Sequence, residues 1–130
     1  MATEPNPLAR EGMDRVRFMS YRDHRILLLD FTNCSPQEVG EISDQVPGMV
    51  TQEPTASVCV LADFTGAEFN REAVERIKVA TAIDKPHIKR AAWVLDHNLP
   101  KALYDSIRSF AAREFPVFNT REEALDYLVG

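Results

Sequence analysis

The apolar positions of the chain fall into short runs and helical stripes that begin at about residue 14. Ahead of them, residues 1 to about 13 are polar and carry Pro5 and Pro7, which predicts a mobile tail before one domain over residues 14–130. From Arg15 the pattern alternates. Val16, Phe18 and Tyr21 are expected on one face, with Arg15, Arg17 and Ser20 more exposed, as in a half-buried edge strand. Arg22-Asp23-His24 reads as a tight turn. The run Ile26-Leu27-Leu28-Leu29-Asp30-Phe31 then reads as a central strand covered on both faces.

Helix punctuation follows. Ser35-Pro36-Gln37-Glu38 supplies a hydroxyl cap, a proline at the first helical position and a glutamate three residues after the cap. Val39, Ile42 and Val46 continue at helical spacing, and Pro47-Gly48 is expected to end the helix. Residues 57–63 repeat the buried-strand pattern. A second helix is predicted over 70–84, capped by Asn70, with Val74, Ile77, Ala80, Thr81 and Ile83 as its packed stripe and Pro86 as its stop. Residues 89–95 form a fourth strand, and Asn98-Leu99-Pro100 opens a helix that places Leu103, Ile107, Phe110 and Ala111 on one side. A short strand over 115–118 tolerates Pro116 best at an edge. Thr120-Arg121-Glu122-Glu123 is a second capping box before a helix with Ala124, Leu125 and Leu128 inward. The predicted fold class is α/β: a single domain of order β-β-α-β-α-β-α-β-α, with helices on a small mixed sheet and right-handed crossovers. No internal repeat or second domain is apparent.

Composition narrows the function classes. The net charge of −5 and pI near 5.2 argue against a surface built for nucleic-acid backbones or anionic lipid. Cys34 and Cys59 lack CxxC spacing, and Cys59 lies inside the apolar run Val58-Cys59-Val60-Leu61, where a reduced thiol behaves as a small hydrophobe. The first residues carry no basic start followed by an apolar core, and no apolar run approaches membrane-spanning length. A cytoplasmic location is the expectation, with no membrane span and no cofactor.

Three stretches carry a family likeness: the hairpin into Ile26-Leu27-Leu28-Leu29-Asp30-Phe31, the strand and loop over residues 60–70, and the ending over residues 115–128. Together they resemble the STAS superfamily, the fold of the bacterial anti-sigma-factor antagonists (SpoIIAA-like domains). The resemblance implies a non-enzymatic regulatory module that binds another protein. In that family an Asp-Ser-Ser/Ala-Gly motif at the start of the second helix carries a phosphorylated serine. The matching stretch here, Asn70-Arg71-Glu72-Ala73, has neither serine nor glycine, so the resemblance implies a module without the usual phosphorylatable residue. The nearest hydroxyl, Thr65, stands too early.

The candidate site is the loop 63–70, represented by Asp63, Phe64, Thr65, Gly66, Phe69 and Asn70. It follows the carboxyl end of a buried strand and precedes a helix N-terminus, the rim where ligands and partners dock on open α/β sheets. Phe64 and Phe69 are expected at the apolar centre of such a contact. Equally, Asp63 and Thr65 can serve only turn and cap hydrogen bonds, with Gly66 supplying an awkward backbone angle. Cys34, at a helix N-terminus, and His97 offer a cysteine-enzyme alternative set against plain loop packing. The basic residues Lys85, Lys89 and Arg90 read as a solvated face. Asp30 and Asp63 stand at two strand ends, but a receiver-like acidic pair and strand-end lysine are missing. The remaining alternatives are self-association as a homodimer and a small apolar ligand, or a lipid, held beneath the second and third helices in a SEC14-like topology.

Overall fold

A computed structural model of the chain describes residues 15–96 and 99–130. The tail expected over residues 1–13, together with His97 and Asn98, lies outside the described residues. Five strands form one sheet: β1 (Val16–Tyr21), β2 (His24–Asp30), β3 (Val58–Asp63), β4 (Ile88–Val94) and β5 (Val117–Phe118). Among the described residues, four helices accompany them: α1 (Pro36–Val50), α2 (Arg71–Asp84), α3 (Lys101–Ala111) and α4 (Arg121–Val129). A single turn of 3-10 helix, Lys85–His87, follows α2. None of these helices is long and apolar enough to cross a membrane.

The sheet order is β1-β2-β3-β4-β5, with β1 antiparallel to β2 and the other pairs parallel. Each new parallel strand therefore lands on the same side of its predecessor. Crossovers of one hand that all step in one direction put their helices on one face. Accordingly α1, α2 and α3 share a core with Leu27, Leu29, Val60, Ala62 and Trp93. Helix α4 follows the last strand and crosses to no further one, so it is free to cover the opposite face. There it packs on Ile26, Leu28, Leu61, Ala92 and Val94. The strand period of two divides each apolar run between these two layers.

Local chemistry explains the element ends. Arg22 and Asp23 both have left-handed φ, 49° and 66°, the two-residue turn that matches the twist of a hairpin. Ser35 and Glu38 form the full reciprocal cap of α1, with N–H to oxygen distances of 3.2 and 2.9 Å. At α4 the Thr120 hydroxyl accepts the Glu123 N–H at 3.2 Å.

Several expectations are corrected. Tyr21 lies on the α4 face with Met19, while Val16 and Phe18 face the other core, because strand residues an odd number of positions apart point to opposite sides. Helix α1 runs through Pro47 to Val50. An interior proline costs about 3 kcal/mol, but Val50 is fully buried, an anchor of about 1.5–3 kcal/mol. The Thr51 N–H and hydroxyl also both close onto the Pro47 carbonyl, at 3.0 and 2.7 Å. Ile83 and Phe110, expected inward, are 46% and 56% exposed, because the packed faces of α2 and α3 are narrower than the apolar content of their sequences.

Candidate functional site

At the carboxyl edge of the sheet, β2 and β3 end in the same triplet: Asp30-Phe31-Thr32 and Asp63-Phe64-Thr65. The parallel register pairs Asp30 with Asp63. In each triplet one aspartate oxygen accepts both the amide and the hydroxyl of the threonine, at 3.1 and 2.6 Å for Thr32 and 3.0 and 2.7 Å for Thr65. The next residue then turns with left-handed φ, 58° at Asn33 and 72° at Gly66. A side chain at Gly66 would meet the Asn33 Oδ1 at 2.2 Å, so the two turns approach as closely as a glycine permits. The Asn33 N–H donates to the Thr65 carbonyl, and the Gly66 N–H to the Asp96 carboxylate at 3.0 Å.

The two phenyl rings stack beneath these turns, their centroids 4.5 Å apart and the planes 13° from parallel. Trp93 meets Phe64 edge-on at 5.0 Å, and Phe69 covers it at 5.4 Å. Such pairs add about 0.5–1.5 kcal/mol each beyond area burial. Above the rings, Arg121 from the first turn of α4 places its guanidinium 2.9 Å from Asp63 and 3.8 Å from Asp30. Arg15 reaches in from the start of β1, donating to the carbonyls of Asp30 and Thr32 and to the Cys34 sulfur. Burial alone raises the pKa of Asp30, but the Thr32 hydrogen bonds and the charges of Arg121 and Arg15 outweigh it and hold the carboxyl below its ordinary value.

The six candidate residues consequently divide. Asp63 is buried and its carboxylate is shared by Thr65 and Arg121. Phe64 is 1% exposed and belongs to the core. Its assignment to the centre of a docking surface is corrected: its ring is the hub of the aromatic cluster. Thr65, Gly66 and Asn70 are exposed at the rim, Phe69 is half-buried, and Asn70 caps α2 through the Ala73 N–H at 2.7 Å. Cys34 is buried and reduced, and desolvation pushes its thiol up to about 11 in spite of Arg15. A thiol held neutral in this way is a poor nucleophile. Its suggested partner His97 lies outside the described residues, and among those described no three potential ligands cluster for a metal.

Sequence reasoning passed over Arg15 and Arg121. Two signals mark them: the repeated triplet at the ends of two apolar runs, and an arginine in a helix first turn, where the dipole disfavours a cation. An analogous misfit marks Asp84, an acid at the C-terminal end of α2. Its side chain is buried beside two small voids of about 40 and 50 Å³ between α2 and the sheet. Desolvation pushes its carboxyl up to about 7, with only a modest opposing pull from His87.

A scan against family models and searches of curated proteins and solved structures each returned no match to this chain.

Three outcomes follow from this geometry. Phe64→Ala should cost about 3–5 kcal/mol in urea denaturation, the range for a buried aromatic truncated to alanine; a loss below about 1 kcal/mol would place the ring at the surface instead. Cys34 should resist iodoacetamide at pH 8 in the native protein and react on unfolding. For Asp84, the unfolded chain releases the proton near 3.8 and the native chain near 7. Stability should therefore fall as pH rises between those values, by at most about 1.4 kcal/mol per unit from this group. Asp84→Asn should remove that component of the slope, as read from denaturation midpoints at pH 5 and pH 7.

Proposed function

We propose that the chain is a non-enzymatic interaction module of the STAS, SpoIIAA-like type. It meets a protein partner, a second copy of itself included, across the rim loop 63–70 and the outer face of α2. The observation that carries this reading is the exposure of Val79 and Ile83, 54% and 46%, one helical turn apart on the helix that Asn70 begins. The reading also draws support from the commitment of the rim's titratable groups to structure: Asp63 to Arg121 and Thr65, Asp30 to Thr32, and Cys34 to a neutral thiol. The hairpin followed by three crossover helices is compatible with the family resemblance. Glu72 places a fixed negative charge in the first turn of α2, where the resemblance puts a phosphorylated serine. Such a module presents a constant surface to its partner, in the cytoplasm, without a phosphate to switch it.

Sedimentation equilibrium of the wild type against Val79→Glu/Ile83→Glu tests the reading. Both positions are exposed, so the variant should keep its circular dichroism spectrum and its melting temperature. The wild type should show a concentration-dependent mass above the monomer that the variant loses. A wild type that stays monomeric, with an unchanged set of co-purifying proteins in the variant, would remove α2 from the interface.

A further inference from the structure

Helices α1, α2 and α3 each return from the carboxyl end of one parallel strand to the start of the next, so they lie side by side and point the same way. Charge divides their outer surface along α2. Residues 72, 76, 79 and 83 recur at helical spacing and form a stripe on its α1 side. There Glu72 and Arg76 line one depression with Glu41 of α1, and Arg76 reaches Asp44 of the same helix. Residues 71, 78 and 85 form a second stripe on the α3 side. There Arg71 and Lys78 line another depression, of about 230 Å³, with Glu75 and Leu103. Lys85 donates to the Ala112 carbonyl at the end of α3, at 3.1 Å. Glu41, Asp44 and Glu72 outweigh Arg76 on the first side, and Arg71, Lys78 and Lys85 outweigh Glu75 on the second. Val79 and Ile83 stand on the negative side. Phe110 stands on the positive side, its ring centre 6.0 Å from the Lys78 ammonium. These are the three most exposed large apolar side chains among the described residues, and one layer holds them all.

We infer that this layer is the contact face of a closed homodimer whose two-fold axis runs along α2. The inference rests on the interaction module proposed above and names its partner as a second copy. Such an axis lays the α1 side of each copy over the α3 side of the other, in both directions at once. Glu41, Asp44 and Glu72 then face Arg71 and Lys78 of the second copy, while Val79 and Ile83 cover its Phe110. An axis at right angles to the helices would set acids on acids and bases on bases, which repel. A foreign surface of one sign would be attracted by one side of α2 and repelled by the other. A face divided in this way is complementary to itself. Its apolar side chains supply the buried area, and its charges supply the orientation. Because the two contacts are equivalent by symmetry, neither side is left over and assembly stops at two copies.

Two variants reverse one side each. Arg71→Glu/Lys78→Glu makes the face acidic throughout, and Glu41→Lys/Glu72→Lys makes it basic throughout. In sedimentation equilibrium at about 0.1 M salt, where surface charges still act over about 10 Å, the wild type should reach the mass of a dimer and no further. Each variant alone should dimerise at least about tenfold more weakly, since attraction at two symmetric places becomes repulsion. An equimolar mixture of the two should form a heterodimer at least as tight as the wild type. Lys78 is half-buried, so Arg71→Glu alone keeps the test should the double variant fail to fold. Arg71 is exposed in the first turn of α2, where an acid is favoured, and its reversal should be rescued by the same basic variant. A monomeric wild type, mass beyond a dimer, a variant homodimer as tight as the wild type, or a mixture no tighter than its components would each overturn the dimer. Should Val79→Glu/Ile83→Glu abolish the wild-type dimer while the mixture fails to form one, α2 keeps its contact role. Only its pairing with α3 of a second copy then falls.

Discussion

The parallel register that sets Asp30 beside Asp63 is the constraint on which the rim rests. It brings two like charges to neighbouring strand ends and, one residue on, stacks Phe31 on Phe64. The stack fixes the turns from below and the guanidinium of Arg121 offsets the charges from above. A slip of one residue in either strand would send its ring toward α4 and its carboxylate into the helical layer, and so unstack the pair. The close approach of Gly66 to Asn33, and the Asn33 N–H bond to the Thr65 carbonyl, hold only in the observed alignment.

Arg121 and Asp84 illustrate opposite outcomes of one electrostatic conflict. Each is a charge at the unfavourable end of a helix, a misfit of about 0.3–1 kcal/mol from the dipole alone. Arg121 gains two carboxylates across the sheet edge, which more than offsets that cost. Asp84 gains no hydrogen bond for its buried oxygen, and its proton affinity rises instead. The first conflict is resolved within the chain and contributes to architecture. The second is left open beneath α2.

Much of the fold was legible because the punctuation is local. Ser35 with Glu38, Asn70 and Thr120 announce three helix starts by side-chain chemistry alone, and the strands declare themselves through runs that need two apolar neighbours. Errors arose where tertiary packing overrode a local rule. Val50 carries α1 past Pro47, and the packed faces of α2 and α3 leave Ile83 and Phe110 outside. The site was less legible. Asp63, Thr65 and Gly66 were found through their position after a strand, but a phenylalanine in a loop looks alike whether it faces a partner or the core. Only the ring contacts of Phe64 with Phe31 and Trp93, both distant in sequence, separate the two cases. The Arg121–Asp63 pair spans 58 residues and leaves no periodic trace.

That long span has a consequence for synthesis. Every strand of the sheet lies beside its predecessor in the chain, so the sheet can grow in the order in which a ribosome delivers it. Helix α4 follows the last of these strands and carries Arg121. Without that helix, Asp30 and Asp63 lack Arg121, and the apolar face of Ile26, Leu28 and Leu61 is uncovered. The docking of α4 therefore supplies the counter-charge and covers that face together, so a chain that lacks it exposes both to chaperones and proteases.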